Sequence, residues 1–569
     1  MSSLFSALNI ASSALNVEQA QINVTGNNIA NVGNANYSRE VAQTSPANDT
    51  QYQPGQFIGN GVDLTGVQRQ VDDALNSRLR SSNSDASAAS TTETWLGQVQ
   101  STLNALSGSD LSSQMSTFFT GWSNLANNPT DPGQRQVVVQ NGQDLANYIQ
   151  GLDGQLNTLQ TTVNQQLPQQ TTTANSLAQQ IAGLNVQIVS AQGGTGGTDN
   201  GLQDQRDADL SQLSQLVNIT TADQPNGSVN VYVGSEPLVE GQTNHGLTVA
   251  NVTNSAGDPA PTVVFTDTGG TVPVTSGVLG ALQGVGAQIA STTDTINSIA
   301  QNLITSVNQL SASGQGTAGF TSVTSTNAVT DPTVPLNNTS SGLTTPPTNG
   351  SFVVHVAQAD GTTKSTLVQV NLNGTGTQTT LNSLAASLNG IPGVAATINA
   401  GQLTIGSTNA AAQISFSQDS SGTLASLGIN TFFTGSGAGD IGVNSTVVNQ
   451  TSLLAAAQNG EPGDNSNAVA ISQLESQPLT GLNGESLQSS YQGLVNQIGN
   501  GAAAAKTNAT ATQAVQQTLT AQQQALSGVS INEETVNLLQ QQQAFQAAAR
   551  VVSAVQAMYV SLLAAFGGT

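Results

Sequence analysis

The chain has 569 residues, of which 37% are hydrophobic, 4% aromatic and 7% charged, and its formal net charge is −23. That length accommodates about two to four domains with thin cores, and the charge repels phosphate backbones and anionic lipid alike, so neither nucleic acid nor a membrane is expected as a partner. Cysteine is absent, which excludes disulfides, thiolate metal sites and a cysteine nucleophile together.

The N-terminal stretch carries Met1, Leu8, Leu15, Ile22 and Ile29 seven residues apart, with Leu4 and Ala11 three positions on. This is half of an a/d seam and implies a partner helix. The first basic residue is Arg39, and Asn9, Ser12 and Ser13 interrupt the apolar positions before it, so no cleaved secretory signal is expected. The segment QINVTGNNIANVGNANYSRE follows, which in isolation reads as a helix C-cap and loop. Its residues Asn27, Asn28, Ile29, Ala30 and Asn31, then Tyr37, Ser38 and Arg39, resemble the N-terminal motif shared by the axial proteins of the bacterial flagellum, the rod, hook and hook-associated subunits. Asn36 stands where that motif usually has Gly, and Asn is expected to close the same turn at positive φ.

From Tyr37 to Val67 the pattern is extended and punctuated by Pro46, Pro54, Gly55, Gly59 and Gly61. Helical periodicity returns over 71–107, 110–127, 132–167, 170–192 and 203–217, with Asp110 and Asp131 as N-caps and Pro132 in a first turn. The segments FFTGWSNLANNPTDPGQRQVVV and DNGLQDQRDADLSQLSQLVNI look like their counterparts in the hook-associated branch of that family. Asp204, Arg206, Asp207 and Asp209 read as a solvated helix face with local ion pairs.

Alternating stretches such as SVNVYV then indicate strands, and Leu279 to Val307 form one long apolar helical stripe. The whole chain reads as α+β, an elongated multi-domain protein in which a helical bundle and terminal coiled-coil helices carry inserted β-rich domains. The expected divisions are an N-terminal assembly helix and extended segment (1–70), a helical bundle (71–220), a β-rich domain (221–275) and a further bundle helix (276–312). A linker (313–350), an inserted β-rich module (351–430), a loop-rich return (431–484) and C-terminal helices with an assembly seam (485–569) complete it.

Sites of chemistry are not announced. His245 and His355 lie in or beside predicted strands without HExxH spacing or neighbouring acids, so no metal site is expected. There is no GxSxG elbow and no GxxxxGK[ST] loop. Gly437, Gly439 and Gly442 satisfy GxGxxG, but no strand precedes them and no helix follows, which favours a plain loop. No catalytic residue and no cofactor is expected, and the chain is read as a non-enzyme.

In the last helix, Ile531, Leu538, Phe545, Val552, Tyr559 and Phe566 recur every seven residues, with Glu534, Gln541, Ala548, Val555 and Leu562 three positions on. This seam is polar in its first half and dry in its second. The run Val551–Phe566, broken by Ser553, Gln556 and Ser561, is expected not to span a bilayer. The stretch from Gly528, Val529 and Ser530 through Glu533 and Glu534 to the Ala-rich turn is similar to the C-terminal signature of the same axial family. The resemblance implies a structural subunit joining hook to filament, exported unfolded through the flagellar type III channel and held beforehand by a small chaperone. Its implied partners are the hook protein, the next hook-associated protein on the filament side and copies of itself in a ring. Its implied assembly interface is Leu4, Leu8, Leu15, Ile22 and Ile29 with the C-terminal stripe, unpaired until assembly. The competing reading is an extracellular surface-binding module on a helical stalk.

Overall fold

The computed structural model describes residues 2–53, 55–103, 110–195, 199–253, 259–461 and 463–566. Its helices are α1 (Ser2–Ala30), α2 (Asp73–Leu103), α3 (Leu111–Asn127), α4 (Pro132–Thr195), α5 (Asn200–Leu216) and α6 (Gly277–Ala312), followed by three short ones, α7 (Leu381–Asn389), α8 (Thr423–Leu427) and α9 (Ser445–Asn449). The chain ends in α10 (Ser466–Gln473), α11 (Leu487–Ser527) and α12 (Ile531–Phe566). Among the described residues helix makes up 56% and strand 18%, in small separate sheets, so the class is α+β.

Two of the expected helices, 132–167 and 170–192, are one continuous 64-residue helix, α4, that runs through Pro168. A proline inside a helix removes one backbone hydrogen bond, and here the buried Leu167 and Ala174 on either side keep the helix packed through that point. The expected helical residues 104–107 lie outside the described residues.

The chain forms two compact units, and neither follows the consecutive segments expected from the sequence. The first gathers Met1–Thr94, Val163–Val285 and Ala504–Thr569, and the second gathers Trp95–Thr162 and Gly286–Ala503. The reason is helix length: α2, α4, α6 and α11 each contribute residues to both units.

In the first unit, β1 (Glu40–Pro46) and β4 (Val62–Arg69) pair antiparallel, with β2 (Thr50–Gln53) and β3 (Gln56–Ile58) extending the same hairpin. Strands β5 (Ile219–Asp223), β6 (Val229–Val233), β7 (Glu236–Glu240) and β8 (Thr243–Asn244) form a meander in chain order, and β9 (Leu247–Thr253) pairs with β10 (Pro259–Phe265). This β-rich part is tied to α4 by asparagines. The fully buried Asn185 donates to the carbonyls of Val229 (2.9 Å) and Gly241 (2.7 Å), and accepts from the Val229 amide (3.0 Å) and from Arg206 (3.2 Å). Asn175 brackets Leu247 in the same way, with its amide oxygen on the backbone N–H and its amide nitrogen on the C=O. Each side chain imitates the peptide group of a neighbouring strand, so a helix can seal a strand edge without leaving buried polar groups unmet.

In the second unit, Phe118, Phe119 and Trp122 of α3 pack with Phe432 and Phe433, at ring separations of 4.8–6.4 Å. Asn308 of α6 holds that aromatic pair in place by accepting from the Phe432 and Phe433 amides. A β-rich module lies beside them. Strand β11 (Ser322–Thr324) pairs with β15 (Gln402–Ser407), which also pairs with β14 (Val394–Asn399). In the second sheet, β12 (Gly350–Ala357) lies between β13 (Thr363–Val370) and β16 (Gln413–Ser417).

The stretch 313–350, expected as a linker, belongs to this module. Phe320, Val323, Val329, Leu336 and Leu343 are buried in the same cluster as Phe352, Ile414 and Phe416. Its Ser, Thr, Gly and Pro residues suggested flexibility, but apolar side chains spaced a few residues apart are enough to pin an irregular chain onto a sheet.

Replacing Asn185 with Leu strands the Val229 amide and the Arg206 guanidinium. The expected cost is roughly 2–4 kcal/mol of stability, read as a lowered urea midpoint at unchanged m-value. An unchanged midpoint would show that the clamp is dispensable.

Candidate assembly interface

Helices α1 and α12 pack against each other along their length and run antiparallel. At one end the Phe5 ring meets Tyr559 edge-on, with centroids 6.2 Å apart, and at the other Asn28 meets Glu534. The two half-seams read from the sequence are therefore partners within one chain, which corrects the expectation that they stay unpaired until assembly. A seven-residue repeat tells that a helix needs a partner, and a partner at the other end of the same chain satisfies it.

The expected seam residues are placed unequally. Val555 is buried, and Leu4, Leu8, Leu15, Ile22, Ile29, Leu538, Phe545, Val552 and Leu562 are half-buried. Ile531 and Tyr559 are exposed, at 51% and 39%. Ile531 is the first residue of α12 and lies beyond the point where Asn28, near the end of α1, meets Glu534. Met1 and the Phe566 side chain lie outside the described residues. The most buried members of α1 are Ala11, on the Leu4 line of the seam, Asn28 of the motif, and two residues not expected from the sequence, Val17 and Thr25. Continuing the Leu4–Ala11 line by sevens leads to Glu18 and Thr25, which was the available signal.

The motif residues form one network around Glu534, which is 1% exposed. Asn28 donates to Glu534 (3.1 Å) and to the Glu40 carbonyl (3.0 Å), and its amide oxygen accepts from the Tyr37 hydroxyl (2.8 Å) and the Glu40 amide (2.9 Å). Arg39 pairs with Glu534 at 2.9 Å and with the exposed Glu533 at 3.2 Å, while its own amide donates to the Ser527 carbonyl. Asn27 donates to Tyr37 and Glu40, and Asn31 donates back to Asn27, which ends the helix. Burial, then the Glu40 carboxylate, push the Tyr37 phenol well above its usual range, so it acts as a hydroxyl donor.

The turn after α1 is closed by Gly33, at φ +83°, and not by Asn36, whose amide bonds the Asn34 side chain instead. At the other end of the network, a Cβ on Gly528 would lie 2.2 Å from the Gln524 carbonyl oxygen, so only glycine fits where α11 gives way to α12. Ala30 and Ser530 are exposed and Val529 is half-buried. The Ser530 carbonyl accepts from the Glu534 amide in the first turn of α12.

The Asp204–Asp209 cluster is not a solvated face. Asp204, Arg206 and Asp209 are each less than 10% exposed. Asp204 accepts from the Ser38 amide (3.0 Å) and from Arg69 (2.7 Å), and Asp207 takes the same guanidinium at 2.8 Å. Burial alone would lower the Arg69 pKa, but Asp207 and Asp204 more than offset it. These are long-range ties, and they fasten α5 to the segment that follows α1.

The other chemical candidates resolve into structure. No group of three or more His, Cys, Asp or Glu side chains able to hold a metal occurs among the described residues. His245 sits 2.6 Å from Asp267, and His355 lies between the hydroxyls of Ser365 and Ser417, both at 2.8 Å. In the GxGxxG stretch the amides of Ser436 and Gly437 already donate to Asp440, so a carboxylate of the chain itself takes the place a phosphate would need.

The face of α12 turned away from α1 is apolar and open. Val536, Leu539, Val551, Met558 and Leu563 are 47–54% exposed, and Val560 is 64% exposed. The Leu487–Ala565 stretch includes a window of mean hydropathy 1.5 that is only 6% buried, so by length and composition it could cross a bilayer, contrary to expectation. The interrupting Ser553, Gln556 and Ser561 are outweighed by Ala, Val and Leu around them.

Residues 96–324 match the family described as the flagellar hook-associated protein FlgK helical domain, and residues 509–564 match the C-terminal family of flagellar basal body rod FlgEFG proteins. Flagellar hook-associated protein 1 of Escherichia coli is 29% identical over 98% of this chain and 99% of its own length. The Salmonella typhimurium protein of that name has the same identity and coverage. The flagellar hook junction protein FlgK of Burkholderia pseudomallei, a solved structure, is 19% identical with a TM-score of 0.49, covering 79% of this chain and all of that one. The chain belongs to the flagellar hook-associated protein 1 family.

Proposed function

We propose that this chain is a structural subunit joining hook to filament, and that it assembles by packing the outer face of α12, carried on the α1/α12 pair, against neighbouring copies in a ring. The observation that supports this most directly is that outer face. A helix that leaves large apolar side chains exposed beside an already packed face needs more than one neighbour, and α1 covers only one side of α12. The hook protein and the next hook-associated protein on the filament side are the proposed axial neighbours. The role is one of packing, with no catalytic step and no cofactor.

Export through the flagellar type III channel fits a chain with no cysteine and 4% aromatic residues, which has little to hold it folded in transit. A small chaperone covering the open face before assembly would prevent self-association. Its hydropathy alone would also suit α12 to lipid, but its acidic first turn, with Glu533 and Glu534, and its position in a hydrogen-bonded network with α1 favour a protein neighbour.

Two adjacent leucines separate the inner seam from the outer face. Leu538 is half-buried against α1, whereas Leu539 is 54% exposed. Leu538→Asp removes roughly 1.5–3 kcal/mol of burial and should loosen α1 from α12 in the monomer. Leu539→Asp should leave the monomer's urea midpoint within about 0.5 kcal/mol of the parent yet stop filaments from joining, with filament subunits appearing in the medium. Normal filaments on Leu539→Asp would rule out the outer face as the interface.

A further inference from the structure

The charges of the α1/α12 pair leave two groups over. Helix α1 has one charged side chain, Glu18, and α12 has three, Glu533, Glu534 and Arg550. Arg39 takes up both Glu533 and Glu534. Glu18 and Arg550 remain, opposite in sign, and neither has an ion-pair or hydrogen-bond partner among the described residues.

Glu18 lies at a seam position, on the rim of an open cavity of about 300 Å³ between the two helices and β1. Two oxygens lining this cavity, Glu18 Oε2 and Gln541 Oε1, are shut off from solvent and accept no hydrogen bond. Burial raises the pKa of Glu18. Both of these atoms are acceptors, and Arg39, the cation that also lines the cavity, is already taken by Glu533 and Glu534, so what the cavity lacks is a further donor.

Arg550 cannot supply it from within the chain. It stands nine residues beyond Gln541 on α12, which at 100° per residue is two and a half turns and puts it on the opposite side of the helix, about 14 Å further along. It is exposed there, flanked by the apolar residues of the outer face.

We infer that Arg550 of one copy enters the Glu18/Gln541 cavity of the next, so that each α12 presents its outer face to the α1/α12 seam of its neighbour. A donor surface meeting a different acceptor surface is a head-to-tail contact, the kind that builds rings and helical arrays and not closed dimers. The offset along α12 sets a stagger of about 14 Å between adjacent copies. Five donor hydrogens on a planar fork suit a carboxylate and an amide carbonyl side by side. This inference rests on the proposed ring of copies at the junction, and it names the contact that sets neighbour and register.

The chain has no cysteine, so Glu18→Cys with Arg550→Cys gives one defined pair. On oxidation of isolated flagella carrying this full-length variant, covalently linked dimers and higher multiples of the chain are expected, while the variant in dilute solution and each single-cysteine chain show no such ladder. Charge reversal is the second arm. Glu18→Arg and Arg550→Glu singly should cut the number of joined filaments by on the order of tenfold or more, and the two together should restore it. Glu18→Gln, which keeps the shape and removes the charge, should fall between. If the chain sits at the junction but the cysteine pair gives no inter-chain link, or forms a link within one chain, this inference is overturned and the proposed function stands. If the reversals have no effect, or the double variant is no better than the singles, it is overturned as well. Absence of the chain from the junction would overturn both readings.

Discussion

Everything that brings the two ends of this chain together passes through one buried carboxylate. Glu534 sits in the polar half of an otherwise apolar seam, and burying it is tolerable only because Asn28 donates to one oxygen while Arg39 faces the other. A buried ion pair adds little stability compared with an apolar pair of the same shape, but breaking one is costly, so its chief effect is to permit a single register. With Glu534 held, Phe5 falls opposite Tyr559 and the antiparallel alignment of α1 and α12 follows. The same residues reach outward, since Arg39 also binds the end of α11 through its amide and Ser38 binds Asp204. The motif is thus a splice joining three separated parts of the chain into the first unit.

Amides do much of the work that large apolar residues do elsewhere. With so few aromatics, the helices are fastened to the β-rich parts by Asn28, Asn175, Asn185, Asn308 and Asn430, most of which bond both a backbone N–H and a backbone C=O or bridge two carbonyls. Such ties hold once formed but contribute little driving force to collapse, because water satisfies the same groups in the unfolded chain. A fold of this kind suits a subunit that travels unfolded and is completed by neighbours.

Periodicity made the long helices legible, including both halves of the α1/α12 seam, and alternation revealed SVNVYV and the strands of the later module. What it could not show was who pairs with whom. The sevens of α1 and α12 are equally consistent with pairing between chains and within one, and only the Asn28, Arg39 and Glu534 contacts decide for the chain itself. Composition misled in two places. The Ser/Thr/Gly/Pro-rich 313–350 stretch looked like a tether, yet its sparse Phe320, Leu336 and Leu343 anchor it in a core. The acidic run at Asp204 looked solvated because its cationic partner, Arg69, lies 135 residues away in sequence. The Glu18 cavity was hidden for a similar reason, since a seam position occupied by Glu reads as a break in the pattern until the opposite helix is in place.

The central claim is that the pair is already closed in the single chain, locked at Glu534, and offers its outer face to others. Amide hydrogen exchange on the purified monomer tests this most directly. Slow exchange is predicted over Val17–Ile29 and Glu534–Phe545, falling to rates near those of an unfolded peptide in both segments together on Glu534→Ala, while α3 and the β-rich module of the second unit stay protected. Fast exchange at both ends of the unaltered monomer would contradict the account, because it would mean that the seam closes only when neighbours supply it.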